Sequence, residues 1–321
     1  VNCKYGGANM KKKLAVVAIG GNAVNRPGEE ATAENMMRNL SETTHYLAAM
    51  LDEYDIVITH GNGPQVGNIL VQQDLSKHVV PPFPIDVNDA QTQGSLGYMI
   101  ALTLGNELKK RNIKRQVAAV VTQIIVDKND PAFQKPTKPV GPFYSKEEAD
   151  KLAQEKGWIM KEDAGRGWRR VVPSPIPLDI VEKDVVKMLV EKDVIVIAAG
   201  GGGIPVTQAN GTLKGIEAVI DKDRASSLLA KEIKADLLII LTGVEKVCIN
   251  YKKPDQYEVD KLTLEEAKKL LNDGQFPSGS MGPKIEAAID FVSSTKRECI
   301  ITDMAVLDMA LKGKTGTKIV P

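Results

Sequence analysis

No apolar run in this 321-residue chain approaches the roughly 20 residues that a membrane-spanning helix needs. Stretches such as Leu237-Leu-Ile-Ile-Leu241 are far shorter, so the chain reads as a soluble protein. Charge of one sign is also scarce. Forty-two Lys and Arg stand against 41 Asp and Glu, a net charge of +1, which excludes a global attraction to nucleic acid or to a membrane surface. Cysteine is sparse: Cys3, Cys248 and Cys299 are odd in number and have no metal-ligand spacing. They read as reduced thiols of a cytoplasmic protein, where the sequons at Asn39 and Asn210 carry no weight. No tandem repeat or low-complexity tract occurs.

What the chain has, three times over, is a short β-branched apolar run that ends in glycine. Leu14-Ala-Val-Val-Ala-Ile19 meets Gly20-Gly21-Asn22-Ala23, and Ile56-Val-Ile-Thr59 meets His60-Gly61-Asn62-Gly63-Pro64. Val194-Ile-Val-Ile-Ala-Ala199 meets Gly200-Gly201-Gly202-Gly203. Such runs read as strands buried on both faces, and the glycines let backbone amides approach an anion. Three of them predict an α/β fold whose ligand loops gather at the carboxyl ends of a parallel sheet. Residues 29–53 predict a helix, striped by Met37, Leu40, Thr44, Leu47 and Leu51. Pro64 suits a first helical turn, which sets Gly61-Asn62-Gly63 at a helix N-terminus. A further helix is predicted over 90–111, with Leu96, Met99, Ile100, Thr103 and Leu104 inward, and then a strand over 117–126.

Residues 127–177 break this texture with seven prolines, many charges and both tryptophans, Trp158 and Trp168. They predict a small protruding subdomain or lid with aromatics enough for its own core, and one helix over 145–156 opened by the capping box Ser145-x-x-Glu148. A helix over 179–192 leads back to the sheet. Two lobes are expected, residues 10–211 and 212–321, the second with helices over 221–233, 263–271 and 283–294 and strands over 237–242, 246–250 and 299–302. Residues 1–9 lack periodicity, precede Met10-Lys-Lys-Lys13, and read as an appended remnant outside the fold.

Two lysines resist a purely structural reading. Lys222 and Lys284 each fall in the first turn of an expected helix, where a cation opposes the dipole, and a phosphate between them would resolve the conflict. One such lysine alone reads as solvated; two, each beside a glycine-rich loop, favour function. Asp221 and Asp223 suit the same helix start as anions, and Asp223 could also hold the lysines. Two phosphate fingerprints fail. Gly313-Lys314-Thr315 ends like a Walker A loop, but Asp308 stands where its first glycine belongs. Gly61-Asn-Gly63-Pro-Gln-Val66-Gly67 has valine where a dinucleotide fingerprint needs glycine or alanine, which leaves a dehydrogenase a distant alternative.

The segments Ala18-Ile-Gly-Gly-Asn-Ala23, His60-Gly-Asn-Gly-Pro-Gln-Val-Gly67, Thr137-Lys-Pro-Val-Gly-Pro-Phe143, Gly200-Gly-Gly-Gly-Ile-Pro205, Val219-Ile-Asp-Lys-Asp223 and Gly279-Ser-Met-Gly-Pro-Lys284 together resemble the carbamate kinases of the amino-acid-kinase superfamily. The likeness runs in order from Leu14 to the C-terminus. Relatives such as acetylglutamate kinase carry a lysine just before the first glycine turn; Val17-Ala18-Ile19 stands here, as in the carbamate branch, which leaves that task to another lysine.

The resemblance implies an αβα sandwich around one mostly parallel central sheet, with residues 10–211 on the acceptor side and 212–321 on the nucleotide side. It implies a homodimeric, cytoplasmic transferase that interconverts MgATP and carbamate with ADP and carbamoyl phosphate, often making ATP in arginine catabolism. Lys138, Lys222, Asp223 and Lys284 become the catalytic set, Lys138 closing over the acceptor and Asp223 orienting the lysines. Gly20, Gly21, Asn22, Gly61, Asn62 and Gly63 are expected to hold carbamate and the moving phosphoryl through amides and both Asn side chains. Gly201, Gly202, Thr242, Val244, Val247, Met281 and Gly282 are expected on the nucleotide side. Mg²⁺ is expected chiefly on phosphate oxygens and water, and no residue is singled out as its ligand. Carbamate is already an anion, so no general base is needed, and His60 reads as a residue that fixes its loop. Two rivals stand: a kinase of another small carboxylate, of acetylglutamate or aspartate type, and a nucleotide-binding regulator without turnover.

Overall fold

A computed structural model describes residues 12–26, 28–163, 165, 167–277 and 279–321. The expected remnant, with Cys3, lies outside them. The glycine-ended runs form neighbouring strands of one eight-stranded sheet, in the order Lys261–Thr263, Thr317–Val320, Cys299–Asp303, Leu237–Thr242, Lys13–Ile19, Tyr54–His60, Ile195–Ile197 and Val117–Ala119. From Cys299–Asp303 to Val117–Ala119 every pairing is parallel, while Thr317–Val320 runs antiparallel to Cys299–Asp303. Register decides what this achieves. Ile19 lies opposite His60, Ala18 opposite Ile240, and Thr242 opposite Asp303, so the turns that follow these strands leave the sheet along one edge.

The helices are α1 (Ala33–Ala49), α2 (Gly63–Ser76), α3 (Ile85–Lys110), α4 (Lys146–Lys156), α5 (Lys183–Glu191), α6 (Lys222–Glu232), α7 (Leu264–Asn272), α8 (Met281–Thr295) and α9 (Leu307–Leu311). Strand alternation sends Ala15, Val17 and Ile19 to one face, where they pack with Leu40 and Leu47 of α1, Leu96, Ile100 and Leu104 of α3, and Leu307 of α9. Val16 and Ala18 face the other way, onto Val186 of α5, Leu229 of α6, Ala267 of α7 and Phe291 of α8. Apolar side chains on both strand faces thus demand cover on both sides, and the result is the expected three-layer αβα sandwich.

Three departures from the sequence reading have local causes. The strand expected over 117–126 is two strands in two sheets, because Thr122 leaves the ladder: its amide donates to Gln93 Oε1 at 2.7 Å, and its Oγ1 accepts from the Ala199 amide at 3.0 Å. Gln123–Val126 then joins a second sheet, ordered Thr212–Gly215, Ile204–Ala209, Gln123–Val126 and Pro177–Ile180. The helix expected over 179–192 starts at Lys183, since Pro177–Ile180 pairs in that second sheet and Glu182 accepts from the Gln123 amide at 2.7 Å. The hairpin Ile204–Gly215 was not anticipated. Its turn is Asn210-Gly211, both at positive φ (50° and 77°), the dipeptide that a tight hairpin favours.

Within the segment expected to protrude lies a three-stranded sheet, in the order Lys138–Tyr144, Trp168–Val172 and Met160–Glu162, with α4 beside it. Helix α4 carries the expected capping box, Ser145 and Glu148 bonding reciprocally. The tryptophans do not form a separate core. Lys146 lies 4.4 Å from the Trp168 ring, and Lys156 and Arg170 lie 4.5 and 4.7 Å from that of Trp158, while the buried Val140 and Val172 pack on Ile85 and Val219 of the main body.

Candidate active site

The turn Gly21–Ala23 follows the first strand, and Gly61-Asn62-Gly63 follows the second. Gly20, Gly21, Lys222, Lys284, Leu241, Thr242 and Gly243 line one cavity of about 540 Å³. A second cavity of about 220 Å³ adjoins it and is lined by Thr242, Gly243, Val244, Lys246, Cys248, Tyr251, Met281 and Lys284. Thr242, Gly243 and Lys284 belong to both, so a polar chamber with glycine turns opens onto a more apolar one across a single lysine.

Helix α6 supplies the charged centre, and its cap explains how. Asp221 accepts from the amides of Asp223 and Arg224 at 3.0 and 3.4 Å, which starts the helix at Lys222. Asp223 is 2% exposed; one of its oxygens is 2.5 Å from Lys222 Nζ and the other 3.2 Å from Lys284 Nζ. Lys284, in the first turn of α8, also donates to the Ser280 carbonyl at 3.2 Å. Lys138, at the start of the three-stranded sheet, donates to Asp221 at 2.7 Å. The four residues expected from the resemblance to be catalytic are thus brought together by two adjacent carboxylates. Asp221, read from the sequence as a cap, is the missed member: it pairs with a lysine as well as capping.

Electrostatics follow from this packing. Burial pulls the Lys222 ammonium below its usual range; Asp223 opposes that, and the like charge of Lys284 reinforces it. Burial would raise Asp221, but the charge and hydrogen bond of Lys138, with Lys222 behind it, hold its carboxylate well below the usual range. The stem of Lys222 crosses the second glycine turn so closely that a Cβ at Gly61 would lie 3.2 Å from Lys222 Cδ.

His60 is 1% exposed, and its Nδ1 donates to the Gly61 carbonyl at 3.0 Å. Burial above all, with the Lys222 charge adding and the Gly61 contact opposing, lowers its pKa to about 4. A neutral ring wedged between its own turn and Gly200 fixes a loop, as the sequence suggested.

Other expected residues fall elsewhere. Gly201 and Gly202 are buried: Gly201 packs against the Asn62 side chain, and Gly202 at φ +99° against the Ile220 carbonyl. The Gly200–Gly202 turn therefore clamps strand ends rather than lining either cavity. Val247 lies in the core with its amide bonded to Thr317, and Gly282 is buried under the Pro277 carbonyl, so Thr242, Val244 and Met281 are the expected nucleotide residues that do line the second cavity. The Asn62 side chain turns inward, with both amide hydrogens engaged by Asp89 and Thr92, and the Gly61-Asn62-Gly63 turn lines neither cavity itself but lies against the stem of Lys222, which lines the larger one. The Asn22 side chain lies outside the described part of the structure.

A doubly covered parallel sheet with glycine turns, lysines and paired carboxylates at its carboxyl edge defines a phosphoryl-transfer class, and the comparisons agree. The chain belongs to the amino acid kinase family, whose sequence model matches residues 13–303. It is 53% identical to the carbamate kinase of Thermococcus kodakarensis over 312 residues, 96% of this chain and 99% of that protein. Identity to the carbamate kinase of Pyrococcus horikoshii is 50% over 309 residues, 95% and 98% of the two chains. The carbamate kinase of Giardia lamblia, solved bound to AMP-PNP, superposes with a TM-score of 0.90 at 45% identity, covering 96% of this chain and 98% of that one. Within the amino acid kinases, the chain is a member of the carbamate kinase family.

Proposed function

We propose that this chain transfers a phosphoryl group reversibly between MgATP and carbamate, giving ADP and carbamoyl phosphate. The observation that carries the reading is the convergence of Lys222 and Lys284 on Asp223 where the two cavities meet. In the forward direction a carbamate oxygen forms a bond to the γ-phosphorus while the bond to the β,γ-bridging oxygen breaks and ADP leaves. Carbamate brings its own charge, so the rate must come from alignment and from cations set around the moving phosphoryl. Amides of Gly20, Gly21 and Gly63 orient the acceptor and phosphoryl oxygens, while the Gly61 amide donates to the Ile19 carbonyl at 3.3 Å and ties its turn to the first strand; Lys222 and Lys284 balance charge on the nucleotide side; Lys138, released from Asp221, closes over the acceptor. Thr242, Val244 and Met281 take the purine face. Residues 10–211 act as the acceptor lobe, including 127–177 as the lid that brings Lys138, and residues 212–321 as the nucleotide lobe.

Mg²⁺ enters as part of the nucleotide substrate. No group of three or more His, Cys, Asp or Glu side chains could hold a metal among the described residues, and the carboxylates nearest the lysines are already occupied by ammonium groups. That donor set suits an ion held by phosphate oxygens and water.

The deciding experiment is ADP-dependent ATP formation from carbamoyl phosphate, read by luciferase, with acetylglutamate and aspartate compared to carbamate in an ADP-release assay. Activity with carbamoyl phosphate is the expected result. ATP binding without any turnover would instead favour the regulator, and faster ADP release with acetylglutamate or aspartate would favour the carboxylate rival.

A cytoplasmic role in making ATP during arginine breakdown fits the direction favoured by carbamoyl phosphate, a high-energy acyl phosphate. The working unit is a homodimer. Tyr98 and Leu102 on α3, Val121 beyond the edge strand Val117–Ala119, and Ile176 and Leu178 beside the second sheet are exposed apolar residues on neighbouring elements, the kind of surface that subunits cover. Light scattering should give twice the 34.8 kDa chain mass; a monomer at assay concentration would refute the dimer.

A further inference from the structure

Asn62 occupies the N-cap position of α2, yet its side chain caps nothing. An asparagine there ordinarily accepts a hydrogen bond from the second or third helical amide. Here Nδ2 donates instead to Asp89 Oδ1 at 3.0 Å and to Thr92 Oγ1 at 2.8 Å. Thr92 uses its own hydroxyl hydrogen on the Asp89 carbonyl at 2.7 Å, so it has acceptor capacity alone to offer Asn62, which fixes the orientation of that amide. On the opposite side a Cβ at Gly201 would lie 2.3 Å from Asn62 Nδ2. The side chain is gripped from two elements.

Asp89 is an odd residue for that place. It is 1% exposed, and its Oδ2 has no hydrogen-bond partner among the described residues. A buried acid with an orphan oxygen weakens a fold, and an apolar side chain would pack α3 onto its neighbours at lower cost. Stability alone therefore gives no reason for it.

We propose that Asp89 is a positioning residue for phosphoryl transfer: with Thr92 it holds the Asn62 side chain off the end of α2, so that the backbone amides of Gly63 and Gln65 stay open to the anion. The inference rests on reading Gly61-Asn62-Gly63 as a phosphoryl cradle. Pro64 has no amide hydrogen, so these two amides are the ones the first turn can present. Burial pushes the Asp89 carboxyl well above the usual carboxylate range, against the Asn62 contact and helped by Asp86. The neutral acid this favours makes asparagine a close replacement.

The test compares Asp89→Asn and Asp89→Val in ATP formation from carbamoyl phosphate and ADP. Asp89→Asn keeps the acceptor and should stay within about threefold of the wild-type kcat/KM for carbamoyl phosphate. Asp89→Val releases Asn62 to cap α2 and should lower that value by about tenfold or more, with the KM for ADP unchanged and a melting temperature no lower than wild type. In NMR spectra the Asn62 side-chain amide protons should exchange slowly in the wild type and in Asp89→Asn, and rapidly in Asp89→Val. Wild-type kcat/KM in Asp89→Val, an equal loss in Asp89→Asn, or a loss that tracks a lowered melting temperature overturns the proposal. A wild-type protein that forms no ATP refutes the cradle reading and this inference together; a wild type that turns over beside an equally active Asp89→Val refutes the inference alone.

Discussion

Lys284→Ala should lower kcat for ATP formation from carbamoyl phosphate by about 10²- to 10³-fold, while the KM for ADP moves by less than about threefold. The Lys284 side chain is 16% exposed, held by Asp223 and the Ser280 carbonyl, and it borders both cavities. Any phosphoryl passing between the chambers must pass its ammonium. Charge shifts along that path as the transferring group loosens from one oxygen and joins another, so a cation there acts mainly on the transition state. Losing one such preorganised charge corresponds to about 3–4 kcal/mol of activation free energy. Val244 and Met281, proposed above to take the purine face, are untouched, which is why ground-state affinity should hardly change. Arginine should rescue poorly, because a wide planar fork does not replace a compact ammonium seated on one carboxylate oxygen. Steady-state rates with carbamoyl phosphate and ADP varied separately give both constants, and an unchanged kcat would remove Lys284 from the mechanism.

His60 should make the protein sensitive to mild acid. Its pKa falls from an ordinary 6.5 to about 4 on folding, first through burial. Between those values the unfolded chain takes up a proton that the native chain refuses. Stability therefore rises with pH across this window: the contribution is complete above about 6.5 and is lost as pH falls towards 4, to a limit of about 3 kcal/mol. Asp221, whose carboxylate is held low, has the same sign but acts below its ordinary 3.8. Asp89 has the opposite sign, because its carboxyl is raised on folding and acidification then favours the native state. The raw slope mixes these effects, so the contrast between wild type and His60→Asn is the measure. Urea unfolding at pH 7 and pH 4.5 should give a wild-type loss exceeding that of the variant by roughly 2–3 kcal/mol. Equal losses would assign the acid sensitivity to other groups.

The strand-and-glycine units were legible because each couples a pattern to a mechanism: a β-branched run can be buried on both faces, and glycine lets the chain turn tightly at its end. Parallel register then put Gly20, Gly61 and Gly243 along one edge without further information. Lys222 and Lys284 were legible from the electrostatic awkwardness of their positions. The break at Thr122 was not, since no glycine or proline marks it and the chain leaves the ladder for Gln93, 29 residues away. The hairpin at Asn210-Gly211 carried its signal, which was read as a lobe boundary instead. Asp89 had a signal too. Running the inward stripe of α3 back from Leu104 through Ile100, Leu96 and Gln93 reaches Asp89 at helical spacing, all of them buried. An acid on a core-facing stripe is the local conflict that points to function. Gly201, Gly202, Val247 and Gly282 lie off both cavities, which the sequence could not show: nearness in sequence to a cleft does not say which way a residue faces.

The ring of charges at the cleft has a last implication for traffic. Lys138, Lys222 and Lys284 are matched by Asp221 and Asp223, leaving a formal surplus of one positive charge among five groups. Such a nearly balanced cluster casts little field into the surrounding water, so passing inorganic phosphate is neither drawn in from afar nor firmly kept. Each ammonium has three hydrogens and spends one or two of them on carboxylate and carbonyl oxygens, so a guest able to reach several of the remaining donors at once is the one the cluster holds.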